Sequence, residues 1–245
     1  MKKNLIQTII WDKYFGIDLL SGSLTTEIIA EKKIIPEIKK NIEKTDIDLS
    51  NVENLDNLYD IINKFDGCQS LKSQNSKTVI YDGVKTAKIM LIGEAPGEEE
   101  ETQGVPFCGQ SGQLLDKVLA TINIERKTNL YITNSVFWRP PANRKPTTAE
   151  IEICRPFLEK QIDLIKPNLI ILCGATPVSS LIKSKESLGD LRQKIIDYTT
   201  LNGTKTQCVA IYHPAFLLRN PIAKKSMWFD MLFIKDLLFA QPNNK

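Results

Sequence analysis

The 245-residue sequence contains a single histidine, His213. Its five cysteines (Cys68, Cys108, Cys154, Cys173 and Cys208) are odd in number, irregularly spaced and without a Cys-x-x-Cys pair, which argues against a secreted disulfide framework. No apolar run is long enough to span a bilayer. The opening MKKNLIQTIIWDKYFG starts basic, but Gln7, Thr8, Asp12 and Lys13 interrupt its apolar residues, so it does not read as a signal peptide. A reducing cytoplasm is the expected setting. Charge of one sign is also lacking: 32 Lys and Arg stand against 29 Asp and Glu, for a net +3. That balance does not identify a nucleic-acid binder, although RKP, RNP and AKK can supply a local basic face.

What is present falls into two parts. Residues 4–15 are expected to form a short amphipathic helix carrying Ile6, Ile9, Ile10, Trp11 and Tyr14, and residues 20–50 a charge-rich connector. Ser50 and Glu53 are spaced as a capping box for a helix with Leu55, Leu58, Ile61, Ile62 and Phe65 on its apolar face. The expected division is an extension over 1–55 and a catalytic domain over 56–245. After residue 78, strand-length runs (TVIYDG, AKIMLIG, NLYITNSVFW, PNLIILCG, TQCVAIYH) alternate with helical ones (GQLLDKVLATI, TTAEIEICRPFLEKQIDLIK, ATPVSSLI, AKKSMWFDMLFIKDLLF). This alternation predicts an α/β fold, a three-layer α/β/α sandwich around a mostly parallel central sheet.

Such sheets bind ligands beyond the carboxyl ends of their strands. The segments expected there are 93–101, 133–144, 173–176 and 212–219. In the first, Gly93 and Gly97 permit close backbone approach and Pro96 stiffens the turn. No Gly-Lys-Ser/Thr follows, and the acidic run would repel phosphates, so this is not a phosphate loop. Glu94 is the candidate functional acid, whereas Glu98, Glu99 and Glu101 read as solvated. Phe107 reads on composition as a core aromatic, with stacking on a planar ligand as the alternative. Asn134 offers a donor and an acceptor suited to a base edge, or is a turn asparagine. WRPPANRKP is either a rigid basic loop for phosphates or a solvated turn. His213 is either a helix-initiating or core-satisfied histidine or, the favoured reading, opens a His-Pro turn that is expected to expose Leu217, Leu218 and Arg219, and exposed leucines ask for a partner.

GEAPGEEEE, GVPFCGQSGQLLD, YITN, RPPANRKP and HPAFLLR, in that order, resemble the uracil-DNA glycosylase superfamily, and its family 4-type members in particular. The resemblance covers roughly residues 68–240; the N-terminal third is similar to the extension of proteobacterial members. It implies a DNA repair enzyme that flips uracil out of DNA and hydrolyses its glycosidic bond. By the same resemblance Phe107 stacks on the base and Asn134 reads its N3–H and O4 edge. His213 donates to O2, aided by the Ala95 N–H, and Glu94 orients the water, with Glu100 as the alternative. Leu217 wedges into the emptied stack, and Arg144, Lys145 and Arg219 hold phosphates. The expected partner is uracil-containing DNA, met by a monomer away from membranes.

One feature departs from the resemblance. Family 4 enzymes carry an iron–sulfur cluster on four cysteines, and here only Cys68 and Cys154 match; Trp138 stands where a third belongs. Cys108 and Cys173 are not obvious substitutes. No cluster is expected, with Trp138 packing and the extension supplying the lost stability. A second histidine, needed by members that trap the abasic product covalently, is absent. Gly97 stands where better-known relatives use a tyrosine against the thymine methyl, which leaves hypoxanthine, xanthine or mismatched thymine open as substrates. A non-catalytic DNA-binding module and a protein-interaction role for 20–50 are the other readings.

Overall fold

The computed structural model describes residues 47–71, 77–182, 184 and 186–240. The expected helix at 4–15 and most of the 20–50 connector lie outside them. Ile47 and Leu49 pack against the main core and Val52 belongs to it, upstream of the boundary expected at residue 55.

Among the described residues six strands form one sheet: β1 (Tyr81–Gly83), β2 (Ile89–Gly93), β3 (Leu130–Asn134), β4 (Leu169–Cys173), β5 (Ile196–Thr199) and β6 (Lys205–Ile211). Their spatial order is β1-β3-β2-β4-β6-β5. The four inner strands are parallel, and the two edges, β1 and β5, are antiparallel. Every residue of β2, β3 and β4 is buried, as the unbroken apolar runs require of strands covered on both faces.

Among the described residues there are eight α-helices: α1 (Leu55–Lys64), α2 (Glu98–Gln103), α3 (Gln110–Ala120), α4 (Thr148–Ile165), α5 (Ala175–Leu181), α6 (Leu188–Leu191), α7 (Pro214–Arg219) and α8 (Lys224–Ala240). On one face Leu58 and Ile62 of α1, Phe157, Leu158 and Ile162 of α4 and Leu181 of α5 meet alternate strand residues Met90, Ile92, Ile170 and Leu172. α3 packs on both α7 and α8, with α8 also against β6, and these helices bury Leu115, Leu217, Met231 and Ile234. This is the expected three-layer sandwich.

Local chemistry accounts for the helix starts. Thr147 and Glu150 exchange capping-box bonds at the start of α4, just after Pro146. The cap of α1 is Asn54, whose side chain accepts from the Asn57 N–H, so the Ser50–Glu53 box is corrected by four residues. α2 begins inside the acidic run that reads as loop in the sequence.

Candidate active site

The four parallel strands end side by side, and each delivers one polar group to the same edge. Gly93 of β2 and Asn134 of β3 are register partners. Glu94 follows β2, Thr176 follows β4 in the first turn of α5, and His213 follows β6 as the N-cap of α7. The strand order reverses direction between β2 and β4, the crevice where open α/β sheets take ligands. A cleft of about 830 Å³ lies there, reached by Glu94, Ala95, Phe107, Asn134 and His213 and, at its rim, by Arg144, Lys145 and Arg219.

Asn134 is 1 % exposed, and its Oδ1 has no hydrogen-bond partner among the described residues. A buried, unpaired carbonyl oxygen costs roughly 1–3 kcal/mol, so the site is poised for a donor. Gly93 makes the arrangement sterically feasible. A Cβ on it would lie 2.4 Å from Asn134 Oδ1 and 2.5 Å from the Phe107 ring.

Phe107 is 6 % exposed and has φ +52°, uncommon for a bulky residue. Two features hold it. Gly112 of α3 lies under its carbonyl, where a Cβ would come within 1.7 Å of the oxygen. Arg126 donates to the Pro106 carbonyl at 2.8 Å and to the Phe107 carbonyl, and ion-pairs with Asp82 at 3.0 Å and Asp116 at 2.7 Å. The Phe107 and His213 ring centroids are 5.6 Å apart. The core and ligand-facing readings of this phenylalanine are therefore compatible: it is buried, yet forms a wall of the cleft.

His213 Nδ1 accepts from the Ala215 N–H at 3.2 Å, which leaves the proton of the neutral ring on Nε2. Burial lowers its pKa below the ordinary imidazole value, against an opposing pull from Glu94. Glu94 Oε2 accepts from the Thr176 hydroxyl, whereas Oε1 accepts no hydrogen bond among the described residues. Glu100 is engaged elsewhere: Oε2 accepts from Gly97 N–H and Oε1 from Gly109 N–H, both at 3.0 Å, joining the starts of α2 and α3.

Two assignments change. Leu217 is 0 % exposed and absent from the cleft, because HPAFLLR forms helix α7 and turns that residue inward; Leu218, at 37 %, is the leucine facing solvent. Arg144 reaches the rim, but Nη1 and Nη2 bond Glu150 at 2.8 and 2.6 Å. Burial alone would raise the Glu150 pKa, but bonds from Arg144, Thr147 and Ser70 outweigh it and bring it to about 2. Arg139 likewise pairs with Glu98 at 3.5 Å and Glu101 at 3.2 Å, so these acids are not merely solvated. Lys145 and Arg219 form no ion pair among the described residues. No local spacing signals Arg126 or Thr176: the loop carbonyl that Arg126 holds lies 19 residues away, and the carboxylate that Thr176 holds lies 82 away.

The donor set can also be tested for the iron–sulfur cluster. Cys68 and Cys154 are buried neighbours, and burial together with Cys68 pushes the Cys154 thiol up. Cys173 and Cys208 belong to β4 and β6, and Cys108 to the loop before α3. In the same core as the pair, Trp138 and Phe157 flank Phe65 at centroid distances of 6.2 and 5.0 Å, with Phe137 6.0 Å from Trp138. Two thiols in an aromatic interior do not match a cluster that takes four thiolates. Among the described residues no group of three or more His, Cys, Asp or Glu is placed to hold a metal ion.

Comparison with known proteins agrees with this geometry. The family model of the Uracil DNA glycosylase superfamily matches residues 80–237. The chain is 37% identical over 195 residues to a type-4 uracil-DNA glycosylase of Saccharolobus solfataricus, covering 78% of this chain and 89% of that protein. It is 33% identical over 189 residues to the type-4 enzyme of Archaeoglobus fulgidus, covering 75% and 94% of the two. With that of Thermotoga maritima it shares 39% identity over 151 residues, 61% and 76% of the two chains. A matched family spanning the sheet and every residue of the cleft places the chain: it belongs to the uracil DNA glycosylase superfamily.

Proposed function

We propose that this protein is a monofunctional DNA glycosylase that flips uracil out of DNA and hydrolyses its N-glycosidic bond, leaving an abasic site for base excision repair. The observation that carries the reading is the buried, unpartnered Asn134 Oδ1 beside Phe107. Uracil offers N3–H to that oxygen and O4 to the amide NH2. Cytosine presents an acceptor at N3 and a donor at C4, so both contacts would fail; such mismatches can discriminate by about 10⁴–10⁵.

In the reaction the C1′–N1 bond breaks and its electron pair leaves with the base, spreading onto O2. His213 donates from Nε2 to O2, a role supported by the Ala215 N–H on Nδ1 and by the lowered pKa. The Ala95 N–H adds a second donor. A neutral donor aimed at developing negative charge acts as an oxyanion hole does. The water that adds to C1′ is oriented by Glu94, whose charge also balances the cationic sugar, and the proton that this water loses ends on the departed uracil anion. Glu94 is preferred over Glu100 because both Glu100 oxygens already accept backbone bonds. Lys145 and Arg219 hold phosphates, with Arg144 secondary because Glu150 already pairs it. Leu218 takes the wedge role first given to Leu217.

The protein works without an iron–sulfur cluster, a reading supported by the two-thiol donor set and the aromatic packing around it. It is proposed to act as a monomer on uracil-containing DNA. The five cysteines, none in a disulfide among the described residues, favour the cytoplasm, and no described helix is long and apolar enough to cross a membrane. The N-terminal extension is placed at residues 1–55 and the catalytic domain at 56–245, with Ile47, Leu49 and Val52 already packed with the main core. Incubation with a uracil-containing oligonucleotide should release free uracil and leave an alkali-labile site. Salt-sensitive binding without release would favour the non-catalytic module instead.

A further inference from the structure

Glu94 and Thr176 face each other across the crevice between β2 and β4, one from each strand's end. The Thr176 hydroxyl donates to Glu94 Oε2 over a separation of 82 residues, so this contact is not a local helix cap. Thr176 is 8 % exposed. Its side chain is β-branched and stiff at χ1, so the hydroxyl has few other places to point. An ionised carboxylate can only accept, which fixes the direction of the bond and makes it charge-assisted. The result is a carboxylate with one oxygen held and the other, Oε1, without a protein donor among the described residues.

We infer that Thr176 is a positioning residue for the reaction: it holds Glu94 Oε2 so that Oε1 faces the attacking water. The inference rests on Glu94 being the water-orienting acid. Thr176 does not line the cleft, so it acts through Glu94 alone. A carboxylate free to rotate would spend most of its time misaligned, and misplacement by about 1 Å can cost on the order of 100-fold in rate.

The test uses the full chain with Thr176→Val, which keeps shape and removes the donor, and Thr176→Ser, which restores it. Glu94→Ala and the Glu94→Ala/Thr176→Val pair complete a double-mutant cycle. Single-turnover cleavage of a uracil-containing oligonucleotide is followed over a day at enzyme excess. Binding is measured with the same oligonucleotide carrying a 2′-fluorinated, slowly cleaved deoxyuridine. Thr176→Val should cleave about tenfold to a hundredfold more slowly, with binding within about twofold of wild type. Thr176→Ser should recover most of the rate, and Thr176→Val should add nothing in the Glu94→Ala background. A wild-type rate for Thr176→Val, a parallel loss of binding, or an equal slowing without Glu94 would overturn the inference. If Glu94→Ala itself cleaved at the wild-type rate, the assignment of Glu94 would fail instead.

Discussion

Arg126 holds Phe107 by its backbone. The guanidinium reaches from the segment before β3 to the carbonyls of Pro106 and Phe107 while two carboxylates, Asp82 and Asp116, fix it from behind. Desolvation works against its charge, but these two partners win and its pKa is raised. The aromatic wall of the cleft is thus held in a left-handed conformation by a residue outside the cleft.

Replacing Arg126 with Lys should therefore damage the site despite keeping the charge. A lysine is a point donor and cannot fork to two carbonyls and two acids. We expect a loss of roughly 1–3 kcal/mol in unfolding free energy, with a tenfold or greater fall in kcat/KM on uracil DNA. Denaturant melts and steady-state kinetics check both parts.

The two leucines of α7 should separate stability from DNA handling. Leu217→Ala opens a cavity in a fully buried position and should cost about 2–5 kcal/mol. Leu218→Ala should leave stability within about 0.5 kcal/mol but slow cleavage of uracil in duplex DNA more than in single strands, where there is no stack to prise apart. Equal slowing on both substrates would remove the wedge role from Leu218.

The pH dependence follows from His213. Burial lowers its pKa, so the neutral Nε2–H donor persists to more acid conditions than a free imidazole would allow. The acid limb contributed by this group should lie below the ordinary value of 6.5, with a flat rate through neutrality. A single-turnover pH–rate profile for wild type, set against His213→Asn, reads this directly.

Acid stability should depend on Arg144 and Glu150. The Glu150 pKa falls from 4.5 to about 2 on folding, so its contribution is complete above 4.5 and is lost as pH falls towards 2. Arg144→Ala removes the bidentate partner. Acid unfolding, followed by far-ultraviolet circular dichroism, should then begin at a higher pH than in wild type.

Much of this arrangement is legible in sequence because the inner strands are unbroken apolar runs and the residues after them are polar. Glu94, Asn134 and His213 stand directly at those junctions. What escapes is of two kinds. Leu217 is misread because a His-Pro junction suggests a turn, whereas Pro suits the first position of a helix; α7 then turns Pro214 and Leu217 to the same buried side. β5, IDYT, is a short antiparallel edge strand whose residues are mostly not buried, too brief to show a period. Arg126 and Thr176 escape for a different reason: each acts on a loop brought near only by the finished sheet.

The most direct measurement is single-turnover cleavage by wild type and Asn134→Asp on matched oligonucleotides carrying uracil, cytosine, thymine or hypoxanthine. Wild type should cleave the uracil strand, leaving cytosine and thymine intact. The aspartate, able to donate a proton to cytosine N3, should lose about 100-fold or more on uracil and gain measurable cytosine cleavage. Wild type that spares uracil and cleaves hypoxanthine, or an Asn134→Asp variant with unchanged preference, would contradict the account of how this cleft chooses its base.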